Sequence, residues 1–272
     1  MKSAYQNLAL EPRPDGVLHV KLDRPRVHNA FNDELIEELS TAFGEATVDP
    51  AVRAILLTGN GPSFSAGADI DWMRRQGELD LDENVESGKR MARMFWTIYA
   101  CRKPVVAGIH GAALGGGTGL AAVADVALAS EDAFFGFTEV RLGIVPAVIS
   151  PFVIEKLGSA RARALFLLGE RFDAREAERL GLVFRSCPTG ELEATLERHL
   201  GSLLQGGPEA LIAAKNLAQS RSGIQGKLDT VAELIARTRR GAEAREGLRA
   251  FLEKRRPAWV DGASPSARDG GR

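Results

Sequence analysis

Residues Lys103 to Asp125 read KPVVAGIHGAALGGGTGLAAVAD. Pro104 to Ile109 has the length and valine content of a buried strand. A glycine-rich turn follows, with Gly111 and then Gly115, Gly116 and Gly117 in succession. Leu120 to Ala124 reads as a buried helix of small residues. Three adjacent glycines between strand and helix leave backbone N–H groups unshielded by side chains. A helix N-terminus there adds donors without partners and the positive end of a dipole. Such a turn suits a negative oxygen: a phosphate, a carboxylate or an oxyanion developing in a reaction.

Toward the N-terminus, Leu8 to Leu10 and Val17 to Leu22 read as two strands around a turn at Pro12 to Gly16. His19 inside the second is a packing residue. Asn32 suits a helix N-cap, Asp33 and Glu34 suit a first turn, and Leu35, Ile36, Leu39, Ala42 and Phe43 recur at helical spacing. Arg53 to Thr58 is a strand. Phe64 to Ile70 (FSAGADI) is a second junction crowded with small residues, where Asp69 suits a cap. Glu78 to Asn84 reads as an exposed linker. Val85 to Tyr99 reads as a helix with an apolar stripe of Met91, Met94, Phe95 and Ile98.

Toward the C-terminus, Val126 to Ala129 and Asp132 to Phe137 are predicted strands. Helices are predicted over Pro146 to Leu157, Arg161 to Leu168 and Ala174 to Leu180, then a strand over Val183 to Ser186. Beyond Gly190 the pattern is helical: Leu192 to Leu204, Pro208 to Ala218, Leu228 to Ala236 and Ala242 to Arg255. The whole describes an α/β core with a helical C-terminal region.

Composition narrows the function classes. The chain has 272 residues, 44% hydrophobic and 26% charged, with a formal net charge of −1. No basic field recommends nucleic acid or an anionic membrane as partner. No apolar stretch reaches membrane-span length, and the N-terminus has no signal-type core. Cys101 and Cys187 read as reduced thiols with packing roles. The expectation is a soluble cytoplasmic protein.

Gly111 to Thr118 approaches the phosphate loop G-x-x-x-x-G-K-[ST], but Gly117 stands where the lysine belongs. Gly117 to Ala122 matches the looser dinucleotide pattern, in a region where glycines fill every frame. No HExxH, EF-hand, CxxC or GxSxG occurs, so a metal site or a serine triad has no support. Two loops of small residues remain, 64–69 and 111–118, with Glu139 as a candidate acid. One backbone donor from each loop, facing one oxygen, makes an oxyanion hole, in which a donor is typically worth ~3 kcal/mol.

These stretches resemble the enoyl-CoA hydratase/isomerase (crotonase) family: FSAGADI at 64–70, KPVVAG at 103–108 and GAALGGG at 111–117. Leu22-Asp-Arg-Pro25, Asn29-Ala-Phe-Asn32, AREAERLGLV at 174–183 and EGLRAFLEKR at 246–255 extend the likeness over residues 5–259. The resemblance implies a spiral of ββα units over residues 1–190 and a helical trimerisation region over 191–260; the Gly-, Ser- and Arg-rich tail over 261–272 reads as disordered from its composition. The resemblance also implies a homotrimer or dimer of trimers acting on acyl-CoA thioesters, with no metal and no cofactor beyond the coenzyme A of the substrate.

By motif position, the amides of Ala68 and Gly116 form the oxyanion hole. Arg26, Val27 and Asn29, with Ala66, Gly67, Asp69 and Ile70, line the coenzyme A path. Gly115 and Gly119 join the substrate-binding set. Lys254 and Arg255 either approach the nucleotide end, from a neighbouring subunit, or form a solvated helix face. Trp72, Met73, Phe95, Trp96 and Ile149 are candidates for the acyl pocket or for plain core.

One departure matters. Two-glutamate members carry an acid shortly after the triple glycine, and here that position is Gly119. Glu139 matches the second acid position. Its neighbours Phe135, Phe137, Val140 and Leu142 would desolvate it and raise its pKa, unless Arg141 pairs with it and keeps it ionised. One acid suits hydration of a 2-enoyl-CoA, or a double-bond shift in a 3-enoyl-CoA. A catalytically weak acyl-CoA-binding scaffold is the third reading. The segment Glu139 to Phe152, together with Gly119, resembles the methylglutaconyl-CoA-hydratase branch, which adds a branched or carboxylated acyl chain to the expectation for a hydratase.

Overall fold

A computed structural model describes residues 5–219 and 228–255. Its centre is made by the most apolar runs in the chain: β3 (Ala54–Gly59), β4 (Val105–Ile109) and β6 (Val126–Ser130). Strands buried on both faces belong in parallel pairing, and these three pair in parallel, with Leu57 opposite Ala107 and Ala107 opposite Ala127. β2 (Val17–Leu22) adds in parallel to β3, and β1 (Leu8–Pro12) closes that edge antiparallel to β2. β9 (Arg185–Cys187) closes the other edge beside β6. The resulting order is β1-β2-β3-β4-β6-β9.

Alternation along the strands divides the apolar residues between two faces. Leu18, Val20, Leu22, Ile55 and Leu57 face the main core. That core includes α1 (Asp33–Val48) and α3 (Leu81–Tyr99). Val17, Ala54, Leu56, Val106 and Leu128 face the other way, against Leu196 and Leu200 of α8 (Leu192–Leu204).

A second, smaller layer carries the functional geometry. β5 (Ala112–Leu114) pairs in parallel with β7 (Phe134–Gly136), and β8 (Arg171–Asp173) pairs antiparallel with β7. Single bridges extend this layer: Ser65 to Ala113, and Phe31 to Ala68. Successive coils therefore repeat one path. The chain runs along the large sheet, crosses the small layer, and starts a helix. β3 leads to Ser65–Ala68 and α2 (Ile70–Glu78). β4 leads to β5 and α4 (Gly116–Val123). β6 leads to β7 and the 3-10 turn Thr138–Leu142. This is the spiral of ββα units that the resemblance implies.

Three local expectations change. Glu78 to Asn84 is not a linker. Asp80 accepts from Glu83 N at 2.8 Å and Glu83 reaches back to Asp80 N, a capping box that starts α3 at Leu81. Asn84 is fully buried, its amide donating to Gln76 O at 2.7 Å. α5 (Ser150–Leu157) begins after Ile149 rather than at Pro146, leaving residues 144–149 as irregular wall. α4 begins at Gly116, ahead of Leu120, with Gly115 as its N-cap at φ +50°.

α6 (Ser159–Leu168) and α7 (Ala174–Leu180) complete the middle of the chain. The later helices fold back on the core. α9 (Pro208–Ala218) is tied by Lys215 Nζ, which donates to Asp125 Oδ2 at 2.6 Å; that oxygen also accepts from Val105 N. α10 (Leu228–Arg240) runs along α3, so close that a Cβ on Gly88 would meet Ala232 O at 2.9 Å. α11 (Ala242–Leu252) rests on the turn at 138–142, where Gly247 meets Leu142. The end of the helical region beyond 255 and the tail 261–272 lie outside the described residues. Cys101 and Cys187 are buried free thiols. Among the described residues no helix is long and apolar enough to cross a membrane.

The contact between the β3 and β4 coils yields a test. A Cβ on Gly117 would lie 2.2 Å from the Ser65 carbonyl oxygen. Helix propensity alone favours Gly117→Ala by about 1 kcal/mol. Overpacking costs about 1–3 kcal/mol and is not relieved by a rotamer change, because the obstacle is backbone. Gly117→Ala is expected to lower the stability by up to about 2 kcal/mol net in a denaturant titration; a gain would show that the two coils are not in contact.

Candidate active site

The β3 and β4 coils meet with backbone facing backbone. Ser65 N donates to Ala112 O and Leu114 N to Ser65 O, both at 3.0 Å. Gly67 sits at φ +88°, and a Cβ there would lie 2.6 Å from Leu114 O and 3.4 Å from Gly116 N. On the other side, Phe31 N donates to Gly67 O at 2.7 Å and Asp69 N to Phe31 O at 2.9 Å. This ladder passes over the amide between them. Among the described residues, neither Ala68 N–H nor Gly116 N–H has a hydrogen-bond partner. Gly116 N is the first helical amide of α4, where no intrahelical acceptor exists and the dipole favours negative charge.

Both residues line a cavity of about 940 Å³. That volume is of the size that encloses a small-molecule ligand. The entry side includes Val27, which is 41% exposed. Met73, Met91, Phe95 and Ile235, all buried, line its interior.

Glu139 lies in the 3-10 turn after β7, across from Gly115. Its Oε1 is 3.1 Å from the position a Cβ on Gly115 would take. Its Oε2 is sealed from solvent and has no hydrogen-bond partner. Burial pushes its pKa up to about 7, with a hydrogen bond to its own backbone opposing. Arg141 does not pair with it: Nε donates to Gly169 O at 2.8 Å, and among the described residues no cation forms an ion pair with the Glu139 carboxylate. A carboxyl that exchanges its proton near neutral pH, beside two unpaired amides, is equipped for proton transfer next to a developing oxyanion.

The acid position after the triple glycine is closed as well as empty. A Cβ on Gly119 would lie 2.4 Å from Ile149 Cγ2 and 3.0 Å from Phe95 Cε1. Gly119 does not line the cavity; Ile149 and Phe95 do, and they supply an apolar wall there.

The remaining residues singled out in the sequence divide. Val27, Ala66, Gly67, Asp69, Ile70, Met73 and Gly115 line the cavity. Asp69 is also the N-cap of α2, accepting from Asp71 N and Trp72 N. Arg26 is exposed outside the lining. Asn29 is fully buried and works as a bracket. Its Nδ2 donates to Asn60 O at 2.9 Å and Ser63 O at 2.8 Å, and its Oδ1 accepts from Arg24 N. Trp72 belongs to the core, its indole donating to Asp33 Oδ2 at 2.8 Å. Trp96 packs beside Tyr99, also outside the lining. Lys254 is exposed, and Arg255 pairs with Glu246 and Glu253.

The cavity also includes Val145 to Val148, which the sequence reading used only for a likeness, and Ile235 and Arg239, which it passed over. Arg239 carried a visible signal. Ala232, Ile235, Ala236 and Arg239 stand at i, i+3, i+4 and i+7, so a charge occupies the buried stripe of α10.

Comparison with known proteins bears on the family and the fold. Residues 12–262 match the family model described as enoyl-CoA hydratase/isomerase. The crotonyl-CoA hydratase of Syntrophomonas wolfei is 33% identical over 263 residues, 94% of this chain and 99% of that protein. The 2,3-dehydroadipyl-CoA hydratase of Escherichia coli is 32% identical over 253 residues, 90% and 95% of the two chains. The crystal structure of an enoyl-CoA hydratase from Mycobacterium avium superposes with a TM-score of 0.83 at 33% identity, covering 94% of this chain and all of that one. With a matched model across most of its length and the spiral fold in place, the chain belongs to the enoyl-CoA hydratase/isomerase family.

Proposed function

We propose that the protein is an enoyl-CoA hydratase that adds water across the 2,3 double bond of an enoyl thioester, using one carboxyl group. The observation that carries this is Glu139: a buried carboxyl with one oxygen unpartnered, in the same cavity as two free amides. In this reading the thioester oxygen lies between Ala68 N–H and Gly116 N–H. Ionised Glu139 takes a proton from water as its oxygen attacks Cβ. Charge moves onto the thioester oxygen, where the amides and the α4 dipole stabilise it, at ~3 kcal/mol for a donor. The same carboxyl, now protonated, returns its proton to Cα. Val27, Ala66, Gly67, Asp69 and Ile70 flank the thioester's approach, with coenzyme A entering as part of the substrate.

The closed position at Gly119 favours one further reading, because a single carboxyl beside an apolar wall also suffices to shift a double bond from C3 to C2. A paired assay separates them. Loss of the conjugated enoyl absorbance of crotonyl-CoA means hydration, whereas its appearance from 3-hexenoyl-CoA alone means isomerisation. A branched or carboxylated chain belongs to the same proposal, in line with the dicarboxylic substrate named for the Escherichia coli relative. Assembly as a homotrimer or dimer of trimers is supported by the exposed apolar side chains of Leu167, Leu168 and Phe184. Light scattering tests it, and a monomer at micromolar concentration would remove it.

Two variants test the chemistry. Glu139→Gln should lower kcat by about 10²–10⁴-fold while retaining acyl-CoA binding. For the parent protein, kcat/KM for hydration should fall as pH drops through about 7, where the base is protonated, and Glu139→Gln should lose that limb. The stability sign is opposite. A carboxyl whose pKa burial has raised favours the fold while neutral, and this contribution is lost as pH rises through about 7. Glu139→Gln should therefore gain stability relative to the parent above that pH. Full activity in this variant would sink the assignment. Gly119→Glu should not supply a second acid; with Ile149 at 2.4 Å, turnover and stability should both fall.

A further inference from the structure

The amide of Gly116 and the carboxyl of Glu139 sit on different coils of the spiral, and one side chain bonds across the gap. Gly116 opens α4, after β5, whereas Glu139 follows β7. α4 is built of Gly, Leu, Ala and Val except at Thr118, its one polar side chain, which is fully buried. A helical threonine ordinarily bonds a carbonyl three or four residues back. The Thr118 hydroxyl instead leaves its helix. It donates to Ala113 O of β5 at 2.6 Å and accepts from Gly136 N of β7 at 3.3 Å, with Gly136 O 3.1 Å away.

These bonds add what packing alone does not. Apolar burial is non-directional, so a valine of the same shape would fill this position without fixing a register. Hydrogen bonds are directional. Gly115 N also donates to Gly136 O, at 2.8 Å, about one helical turn before Thr118. A single bond at Gly115 is a pivot. A second attachment, further along α4, stops rotation about it. Gly136 is thereby held at its N–H and at its carbonyl by the segment that presents the Gly116 amide.

Little slack lies between Gly136 and Glu139. Phe137 is fully buried and meets Phe166 edge-on, with 5.0 Å between ring centroids. Thr138 opens the 3-10 turn, and Ile144 N donates to Glu139 O at 3.2 Å just beyond it. Glu139 Oε1 then stands 3.1 Å from the Cβ position of Gly115, the residue before the Gly116 amide. We infer that Thr118 is a positioning residue: its hydroxyl sets where the Glu139 carboxyl stands relative to the Gly116 N–H. Thr118 does not line the cavity, so it acts through these two groups and not on substrate. This rests on the reading of Ala68, Gly116 and Glu139 as the reacting set and adds a residue behind it. Proton transfer is sensitive to that spacing, since a misplacement of about 1 Å can cost about 10²-fold in rate.

Thr118→Val removes the hydroxyl at nearly the same volume. Its kcat on crotonyl-CoA, or on 3-hexenoyl-CoA if the parent isomerises that thioester, should fall roughly 10- to 100-fold per folded protein, at a KM little changed. Thr118→Ser keeps the hydroxyl and should recover most of that loss. Should Thr118→Val not fold, Thr118→Ala removes the same group and is read in the same way. Unchanged kcat, or an equal loss in Thr118→Val and Thr118→Ser, would overturn the inference. A second readout needs no turnover. Infrared titration of the full-length protein follows the C=O stretch of protonated Glu139, assigned by its absence in Glu139→Gln. The band should shift in Thr118→Val and return in Thr118→Ser. A band that stays in place overturns the inference even where stability falls. If the parent turns over neither thioester and the band shifts as expected, the hydratase reading fails and Thr118 keeps its role. If crotonyl-CoA is hydrated while kcat and band are indifferent to the hydroxyl, the hydratase stands and the role of Thr118 is removed.

Discussion

The structure depends on two stretches of backbone that approach each other without side chains between them. A Cβ on Gly117 would reach within 2.2 Å of Ser65 O, and one on Gly67 within 2.6 Å of Leu114 O. No other residue type permits that spacing without displacing one coil from the next. Thr118 extends the same constraint to the following coil: its hydroxyl donates to Ala113 O at 2.6 Å and accepts from Gly136 N at 3.3 Å. Three turns of the spiral are thereby held in one register. The free amides are a by-product of this packing, since Ala68 stands between two paired neighbours and Gly116 opens a helix.

The electrostatics of the cavity follow from what the packing leaves unmet. Amides and a helix N-terminus favour negative charge on a ligand oxygen. Apolar surroundings keep Glu139 near its neutral form, and Arg141 is committed to the Gly169 carbonyl instead. Ile149 and Phe95 fill the space beside Gly119, which leaves Glu139 as the carboxyl beside the amides. Arg239 is the opposite case, a buried charge that lies over the Trp72 ring and feels the Asp33 carboxylate, with Nε and Nη1 unpartnered.

Much of the fold was legible because burial imposes period. Val105 to Ile109 and Ala54 to Leu57 are continuous apolar runs, as strands buried on both faces must be. Asn32 and Asp69 cap α1 and α2 as their positions suggested. β5 and β8 were not legible, because three residues of Ala-Ala-Leu or Arg-Phe-Asp carry no period. The acidic run at 78–84 looked solvated, yet Asp80 and Glu83 cap each other. Asn29 stood inside a motif of the resemblance and Trp72 was a candidate for the acyl pocket or the core, but their side chains satisfy Asn60 O, Ser63 O and Asp33 rather than reaching the cavity.

By itself the sequence determined the α/β architecture, the glycine turn between a buried strand and a helix, and the identity of the candidate acid. These are local properties: apolar period, conformational freedom at glycine, and a carboxyl in an apolar neighbourhood. Only the tertiary structure decided which amides remain unpaired, that Ile149 and Phe95 fill the space beside Gly119, that Arg141 turns away from Glu139, and that Arg239 enters the same cavity from a helix one hundred residues later in the chain. The reason is physical. Desolvation and close contact are set by atoms distant in sequence, and a single chain position carries no record of what will lie against it.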